Sequence, residues 1–216
     1  MTPGPGNRLV VSYLMLRKAI GGLGMVLPFA LVIGGMLLFG LDIQPTVSDY
    51  YHTGMRDVFV GILFAMGVFL FSYKGYGPKD NYAGNLASVF VIGTALFPTT
   101  PVNPTGLESA LGTIHIVCAT AYFLTLAYFS LVLFTKHAPN RPMTVRKKQR
   151  NQVYRTCGYG ILGAIALMAI YAFAPSSVKA PIEQVLDPIF WLEAFAVLAF
   201  GLSWYVKGEG ILEDEK

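Results

Sequence analysis

Residues 19–41 read AIGGLGMVLPFALVIGGMLLFGL and contain no charged side chain. A helix needs about 20 consecutive apolar residues, with a range of roughly 17–25, to cross the hydrocarbon core of a bilayer. This stretch is longer than the apolar core of a secretory signal peptide, which runs to about 15 residues, and no Ala-x-Ala cleavage site closes it. It therefore predicts a transmembrane helix that is retained in the protein.

The composition of the whole chain agrees with a membrane location. Of its 216 residues, 54% are apolar and 13% are charged, whereas soluble domains carry about 25% charged residues. The 16 basic and 12 acidic side chains could not cover the surface of a water-soluble globule of this size. A mean hydropathy of +0.55 points the same way. The composition predicts a polytopic membrane protein and excludes an ordinary soluble domain.

Five further segments meet or approach the length of a membrane span. The second and third are short, and the third contains Asn85 and Ser88. The last begins with Pro188, which suits the first turn of a helix because no backbone N–H partner is needed there. We therefore expect an all-α fold, with one domain over residues 1–216 that forms a bundle of six transmembrane helices. The predicted spans are residues 19–41, 56–73, 83–98, 110–135, 157–174 and 188–206.

The distribution of basic residues predicts the orientation of the spans. Short loops rich in Lys and Arg stay on the cytoplasmic side, and 14 basic residues fall on one side of the predicted bundle against two on the other. Both termini are therefore predicted to be cytoplasmic. The net charge of +4 follows from the same rule, so neither a nucleic acid nor a soluble partner is implied. The outer loops hold Arg56 and Lys179, and the inner segments hold Arg8, Arg17, Lys18, Lys74, Lys79, Lys136, Arg141, Arg146, Lys147, Lys148, Arg150, Arg155, Lys207 and Lys216.

The predicted inner loop at residues 139–150 ends in the basic run RKKQR. Two interpretations stay open for this run. It anchors the topology, or it contacts anionic lipid headgroups, with a contribution of about 1 kcal/mol from each basic residue near the surface. The acidic tail at residues 209–216 is expected to be disordered.

Two further patterns concern packing rather than chemistry. Cys118 and Cys157 are predicted to differ in depth by about 15 Å or more, which exceeds the Cα separation of about 7 Å that a disulfide tolerates, so both are expected to be free. The string GYGILG at 158–163 matches the dinucleotide pattern G-x-G-x-x-G, but it lies within a predicted span and follows no strand. With the glycines of the first span, it predicts close helix packing.

Polar side chains at membrane depth are costly, so those that occur there are candidates for function. The segment SDYYHTGMRD at 48–57 leads into the second span, His115 lies about a turn and a half into the fourth, and Glu193 lies at a similar depth in the sixth. We expect these residues and the interfacial Trp191 to surround a polar pocket below the outer surface. The proline-rich loop at 98–104 is placed to roof it.

The chemistry of this pocket is open to three interpretations. In the first, His52, Asp57 and His115, with Glu193 nearby, hold zinc or another divalent ion, because two His and one or two carboxylates suit such an ion. The bound ion would then turn a water molecule into a nucleophile. In the second, Arg56 and Asp57 pair with Asp49 or Glu193, and each His donates to a carbonyl or stays solvated in the interface. In the third, these are unrelated interfacial residues.

Three segments resemble a family of uncharacterised bacterial integral membrane proteins, which is remotely similar to six-span DRAM-like proteins. They are residues 48–61 (SDYYHTGMRDVFVG), 80–87 (DNYAGNLA) and 95–99 (ALFPT). The resemblance implies the six-span architecture and a multi-pass protein of the bacterial inner membrane. It implies no activity.

A second resemblance is local. Ser48-x-x-x-His52 followed by Asp57 is similar to motifs of the membrane hydrolase superfamily that contains alkaline ceramidases and progestin/adipoQ-type receptors. In that superfamily Ser, Asp and three His surround a zinc ion that activates water against a lipid amide. This chain departs from the pattern, because the paired H-x-x-x-H is absent, His115 stands alone and six spans are predicted where the superfamily has seven.

Three functions are compatible with these features. The favoured one is a binding protein whose pocket holds a lipid headgroup or small amphiphile through Ser48, Arg56, His115 and Trp191, with membrane lipids as its partners. The first alternative is a metal-dependent hydrolase of a lipid amide or ester, with His52, Asp57 and Glu193 as catalytic groups. The second is a small transporter that is coupled to protons through Glu193.

Overall fold

The computed structural model describes residues 5–75, 77–137, 142–183 and 185–212, with side chains from residue 13 onward. In these parts of the chain there are seven α-helices and no β-strand, which confirms the all-α prediction. Arg141 and the rest of the 139–141 segment, as well as the last four residues of the acidic tail, lie outside the described residues. The α-helices are α1 (Pro5–Phe39), α2 (Arg56–Ser72), α3 (Pro78–Leu96), α4 (Gly106–Tyr128), α5 (Val145–Ala172), α6 (Ser176–Glu183) and α7 (Pro188–Lys207).

Four segments are long and apolar enough to cross a membrane, which marks the chain as a membrane protein. The other two predicted spans are also helical, but α2 has only 17 residues, and α3 carries the polar Asp80, Asn81 and Asn85 in its first half. The four segments are Tyr13–Phe39, Gly106–Leu133, Val145–Ala172 and Pro188–Lys207.

The structure corrects two predicted loops. The basic run at 146–150 belongs to the first turns of α5, because α5 begins at Val145 and the Thr144 side chain caps it by accepting from the Lys147 N–H at 3.1 Å. The helix α6 lies where a loop was expected between the fifth and sixth spans. Both errors have one cause. Apolar content sets the limits of the predicted spans, whereas the hydrogen bonds of a helix continue into polar sequence.

Local sequence explains where α1 ends and where α4 and α7 begin. Gly40 has φ +62 directly after α1, the left-handed conformation in which glycine commonly ends a helix, and the Leu41 N–H reaches back to the Gly35 carbonyl at 3.1 Å. Thr105 and Glu108 form a reciprocal capping box at the start of α4. Pro188 occupies the first turn of α7, as predicted.

Six helices form a closed ring in the order α1, α2, α3, α4, α5, α7 and back to α1. Neighbours in the ring run in opposite directions, so the bundle has two ends. We call the end with the 3₁₀ helix Ser48–His52 the Ser48 end, and the end with the Lys136–Asp80 ion pair the Lys136 end. The ring closes through α1 and α7, where glycines allow close approach: a Cβ atom added to Gly201 would lie 2.7 Å from the Gly21 carbonyl oxygen.

The core towards the Lys136 end is built of aromatic rings around Trp204 of α7. The rings of Tyr73, Phe129 and Phe134 lie 5.0, 5.2 and 5.2 Å from the Trp204 ring, each close to edge-on. A π-helical turn, Phe129–Leu133, continues α4 and delivers Phe129 and Phe134 to this cluster. All four side chains are fully buried, so this end of the bundle is fixed by tight aromatic packing.

Both cysteines are free, as predicted. The glycine string at 158–163 lies inside α5, and its first member meets α4: a Cβ atom on Gly158 would lie 2.5 Å from Leu131. This confirms the packing interpretation of Gly158. The third glycine, Gly163, faces open space and needs no such explanation.

Candidate functional site

Glu193 holds the entry to the 3₁₀ helix at the Ser48 end. Its Oε2 atom accepts the backbone N–H groups of Val47 at 2.8 Å and Ser48 at 3.3 Å. Near it, the Phe190 N–H donates to the Pro45 carbonyl at 3.1 Å. Glu193 therefore joins α7 to the segment before α2.

Thr99 joins this segment to the loop between α3 and α4. Its hydroxyl donates to the Asp49 carboxylate at 2.7 Å, and its carbonyl accepts from His52 Nε2 at 2.9 Å. The loop thus lies against the Ser48–His52 turn, where the sequence placed a roof. The His52 ring stays exposed.

His115 is buried in α4 beneath the same loop, with 2% of its surface exposed. Its Nδ1–H donates to the Phe97 carbonyl at 2.7 Å, just past the end of α3. Each His thus donates to a carbonyl, as the second interpretation of the sequence predicts.

Among the described residues Arg56 pairs with no carboxylate, contrary to that same interpretation. Its guanidinium lies over the Tyr51 ring, 4.4 Å from the centroid, and donates to the Tyr51 hydroxyl at 2.7 Å. Both Arg56 and Asp57 are exposed, in the first turn of α2. Trp191 is also half exposed, at the start of α7. The exposed part of the site therefore combines the cationic Arg56 and the aromatic Trp191 with the carboxylate of Asp57.

The metal interpretation gains no support from this arrangement. Among the described residues, no three His, Cys, Asp or Glu side chains form a group that could hold an ion. Glu193 binds the backbone N–H groups of Val47 and Ser48, and Asp57 is exposed in the first turn of α2. The catalytic roles proposed for His52, Asp57 and Glu193 in a hydrolase stay predictions.

Sequence reasoning missed Tyr51 and Thr99 as members of the site, and it considered Asp49 only as an ion-pair partner of Arg56 and Asp57. Asp49, Tyr51 and Thr99 carry as much of the hydrogen bonding as the residues that were singled out. Asp49 and Tyr51 lie within the segment already recognised, but only the fold shows that Asp49 meets Thr99, 50 residues away in the chain. No pattern in one sequence could have paired them.

The Lys136 end is a second polar region, rich in cations. Lys136 Nζ lies 2.9 Å from the buried Asp80 carboxylate, and Arg150 lies 3.8 Å from Glu209. Arg17 is buried to 5% exposure and reaches the Lys207 carbonyl at 3.4 Å. The first contact ties α3 to the segment that follows α4, and the other two tie α5 and α1 to the end of α7.

No family model, curated protein or solved structure matches the chain. The structure by itself defines an α-helical membrane protein whose Ser48 end carries a hydrogen-bonded polar site with exposed Arg56. Both family resemblances seen in the sequence stay predictions.

Proposed function

We propose that all six ring helices cross the membrane and that both termini are cytoplasmic. The ring supports this proposal, since α2 and α3 alternate in direction with the four apolar helices and complete the circle. The charge distribution also supports it, because Lys and Arg gather at the Lys136 end and Arg56 and Lys179 stand alone at the Ser48 end. We extend the proposal to the bacterial inner membrane and to the family of uncharacterised six-span proteins.

We further propose that the Ser48 end binds the anionic headgroup of a lipid or small amphiphile. The observation that carries this proposal is the exposed position of the Arg56 guanidinium and the partners it has. Within the described residues its guanidinium meets no carboxylate within 4 Å and is oriented by Tyr51 alone. An exposed guanidinium presents several N–H donors in a planar fork, which matches a phosphate or carboxylate group. Arg56 is thus a preorganised anion contact.

The surroundings of Arg56 suit an amphiphile at a membrane interface. His52 is exposed beside Tyr51, with the two rings 5.4 Å apart. Trp191, at 50% exposure, offers a large amphipathic ring of the kind that collects at headgroup level. Ser48 and His115 are buried, so their part is to hold the 48–52 turn and its neighbouring loop in place. With these buried residues held by hydrogen bonds, Arg56 and Tyr51 form the surface that contacts the ligand.

The test is native mass spectrometry of delipidated protein titrated with phosphatidylglycerol. We expect a bound lipid that Arg56→Gln weakens by about fivefold, the effect of roughly 1 kcal/mol for one basic residue near a headgroup. The affinity of Arg56→Lys should lie between those of the parent and Arg56→Gln, since lysine keeps the charge and loses the planar, forked arrangement of N–H donors. Lys179→Gln, the other basic residue of this end, is the matched control and should bind as the parent does. Equal binding by all four proteins would overturn the proposal.

A further inference from the structure

A groove of about 520 Å³ runs between α3 and α4 on the outside of the ring, towards the Lys136 end. This volume lies within the range of about 300–1,000 Å³ that is usual for small-molecule sites. Its walls are mainly apolar, with Leu86 of α3 facing Leu124 of α4. Leu86 is 51% and Leu124 47% exposed, so nothing in the described chain covers these walls.

The groove is graded from polar to apolar along the helices. Lys79 lies in the first turn of α3, Tyr82 and Tyr128 follow, and Leu86 lies seven residues from Lys79, a distance of about 10 Å along a helix. Tyrosines commonly mark the boundary between headgroups and hydrocarbon. An elongated molecule with a charged head and an apolar chain matches this order.

The charge at the mouth of the groove is positive. Lys79 is exposed and forms no ion pair with any described residue. Its neighbour Asp80 does not neutralise it, because the Asp80 carboxylate is buried and bound to Lys136 at 2.9 Å. Lys79 therefore presents its ammonium to whatever occupies the mouth.

We infer that the α3–α4 groove binds one anionic phospholipid, with its phosphate at Lys79 and an acyl chain between Leu86 and Leu124. This inference rests on the chain lying in a membrane, and it is independent of the headgroup site at Arg56. The two sites lie at opposite ends of the bundle, so each holds a lipid from a different leaflet.

The experiment uses the full chain in detergent, with native mass spectrometry after titration with phosphatidylglycerol or with phosphatidylcholine of the same acyl chains. Lys79→Gln should weaken phosphatidylglycerol binding by about fivefold, and Leu86→Trp should weaken both lipids by filling the groove. Lys74→Gln, an exposed lysine at the same end that does not line the groove, and Val89→Trp, an exposed position one turn along α3, are the matched controls and should bind as the parent does.

Three results would overturn the inference. The first is equal phosphatidylglycerol binding by Lys79→Gln and Lys74→Gln. The second is a parent protein with no preference for phosphatidylglycerol over phosphatidylcholine. The third is a mass of two chains that Leu86→Trp converts to one, which would make the groove a dimer contact. The double variant Arg56→Gln/Lys79→Gln separates the two sites. If each single variant loses one bound lipid and the double variant loses both, both sites are supported. If only one single variant loses a lipid, only the site altered in that variant is supported.

Discussion

Glu193 illustrates how a single residue at membrane depth acquires a role through its partners. A carboxylate in a span is a candidate for proton transfer or catalysis. In this protein its Oε2 atom instead accepts the N–H groups of Val47 and Ser48, which begin the 3₁₀ helix that carries the candidate site. Its role in the structure is therefore to position the site, and proton coupling through it has no supporting contact among the described residues.

We predict that Glu193→Ala lowers the stability of the protein by about 1–3 kcal/mol, because two buried backbone donors lose their acceptor. Glu193→Gln keeps one acceptor oxygen and should cost less. Thermal unfolding in detergent measures the loss of stability. Faster hydrogen exchange of the Val47 and Ser48 amides would locate the change at this segment. Glu183→Ala, at an exposed carboxylate bonded to Tyr171 at 2.8 Å, is the control. Equal losses from Glu183→Ala and Glu193→Ala would contradict the capping role.

We also predict that the purified protein carries no stoichiometric metal ion. His52 and His115 donate to different carbonyls, and no third ligand joins them within the described residues. Elemental analysis of the parent beside His52→Ala and His115→Ala provides the measurement. About one zinc per chain, lost in both variants, would contradict this expectation and revive the hydrolase alternative.

At the scale of elements, α1 and α7 close the ring through glycine. The ridge of one helix enters the groove of the other at Gly21 and Gly201, where a Cβ atom on either residue would lie within 2.7 Å of the facing carbonyl oxygen. Small residues let backbones approach in this way, which strengthens packing where the hydrophobic effect between helices is absent.

We predict that Gly201→Ala destabilises the fold by about 1–3 kcal/mol, the usual cost of overpacking a tight interface. Gly22→Ala is the matched control, because nothing lies within 4 Å of its added Cβ, and alanine there should leave stability unchanged or raise it. Thermal unfolding of both variants in the same detergent compares them. If Gly201→Ala is as stable as Gly22→Ala, the contact between α1 and α7 at Gly201 has room for a methyl group and the prediction is wrong.

The helix α6 is the element whose existence the sequence analysis missed. It has eight residues, none of them buried, and Val178 and Ile182 lie one turn apart with 47% and 36% exposure. Its ends are tied to α5 by the Lys179 bond to the Ala172 carbonyl at 2.8 Å and by the Tyr171 bond to Glu183. It therefore forms an ordered helical connection between α5 and α7.

At the scale of the whole molecule, the two ends differ in charge and in packing. The Lys136 end combines ion pairs, buried Arg17 and the aromatic cluster around Trp204. The Ser48 end is held by hydrogen bonds between one turn, one loop and two helices. Lys and Arg at membrane ends favour the cytoplasmic side, so this asymmetry bears directly on orientation.

We predict that the Ser48 end faces away from the cytoplasm. Single cysteines at Val102, which is 96% exposed near that end, and at the exposed Lys148 near the other end report the two sides. In intact bacterial cells a membrane-impermeant maleimide should label Val102→Cys, and Lys148→Cys should react only after permeabilisation. The background needs Cys118→Ser and Cys157→Ser, since both native thiols are free. The reverse pattern would invert the proposed topology.

Much of the helical architecture was predictable from the chain alone. Apolar stretches such as residues 19–41, the Pro188 start of α7 and the free cysteines all followed from local composition and spacing, because a helix in a membrane satisfies its own backbone hydrogen bonds. Boundaries in polar sequence were not predictable in this way. The start of α5 at Val145 and the whole of α6 depend on caps and neighbours that hydropathy does not register.

What the sequence by itself determined is therefore the helical class and which polar residues lie within or beside the apolar helices. Only the tertiary structure decided the order of the ring, the capping role of Glu193, the stacking of Arg56 on Tyr51 and the bond between Asp49 and Thr99. The physical reason is range. Hydropathy and backbone hydrogen bonding act within a few residues, whereas each of these contacts except the Arg56–Tyr51 pair joins positions 50 or more residues apart, which nothing but the packing of the helices brings together.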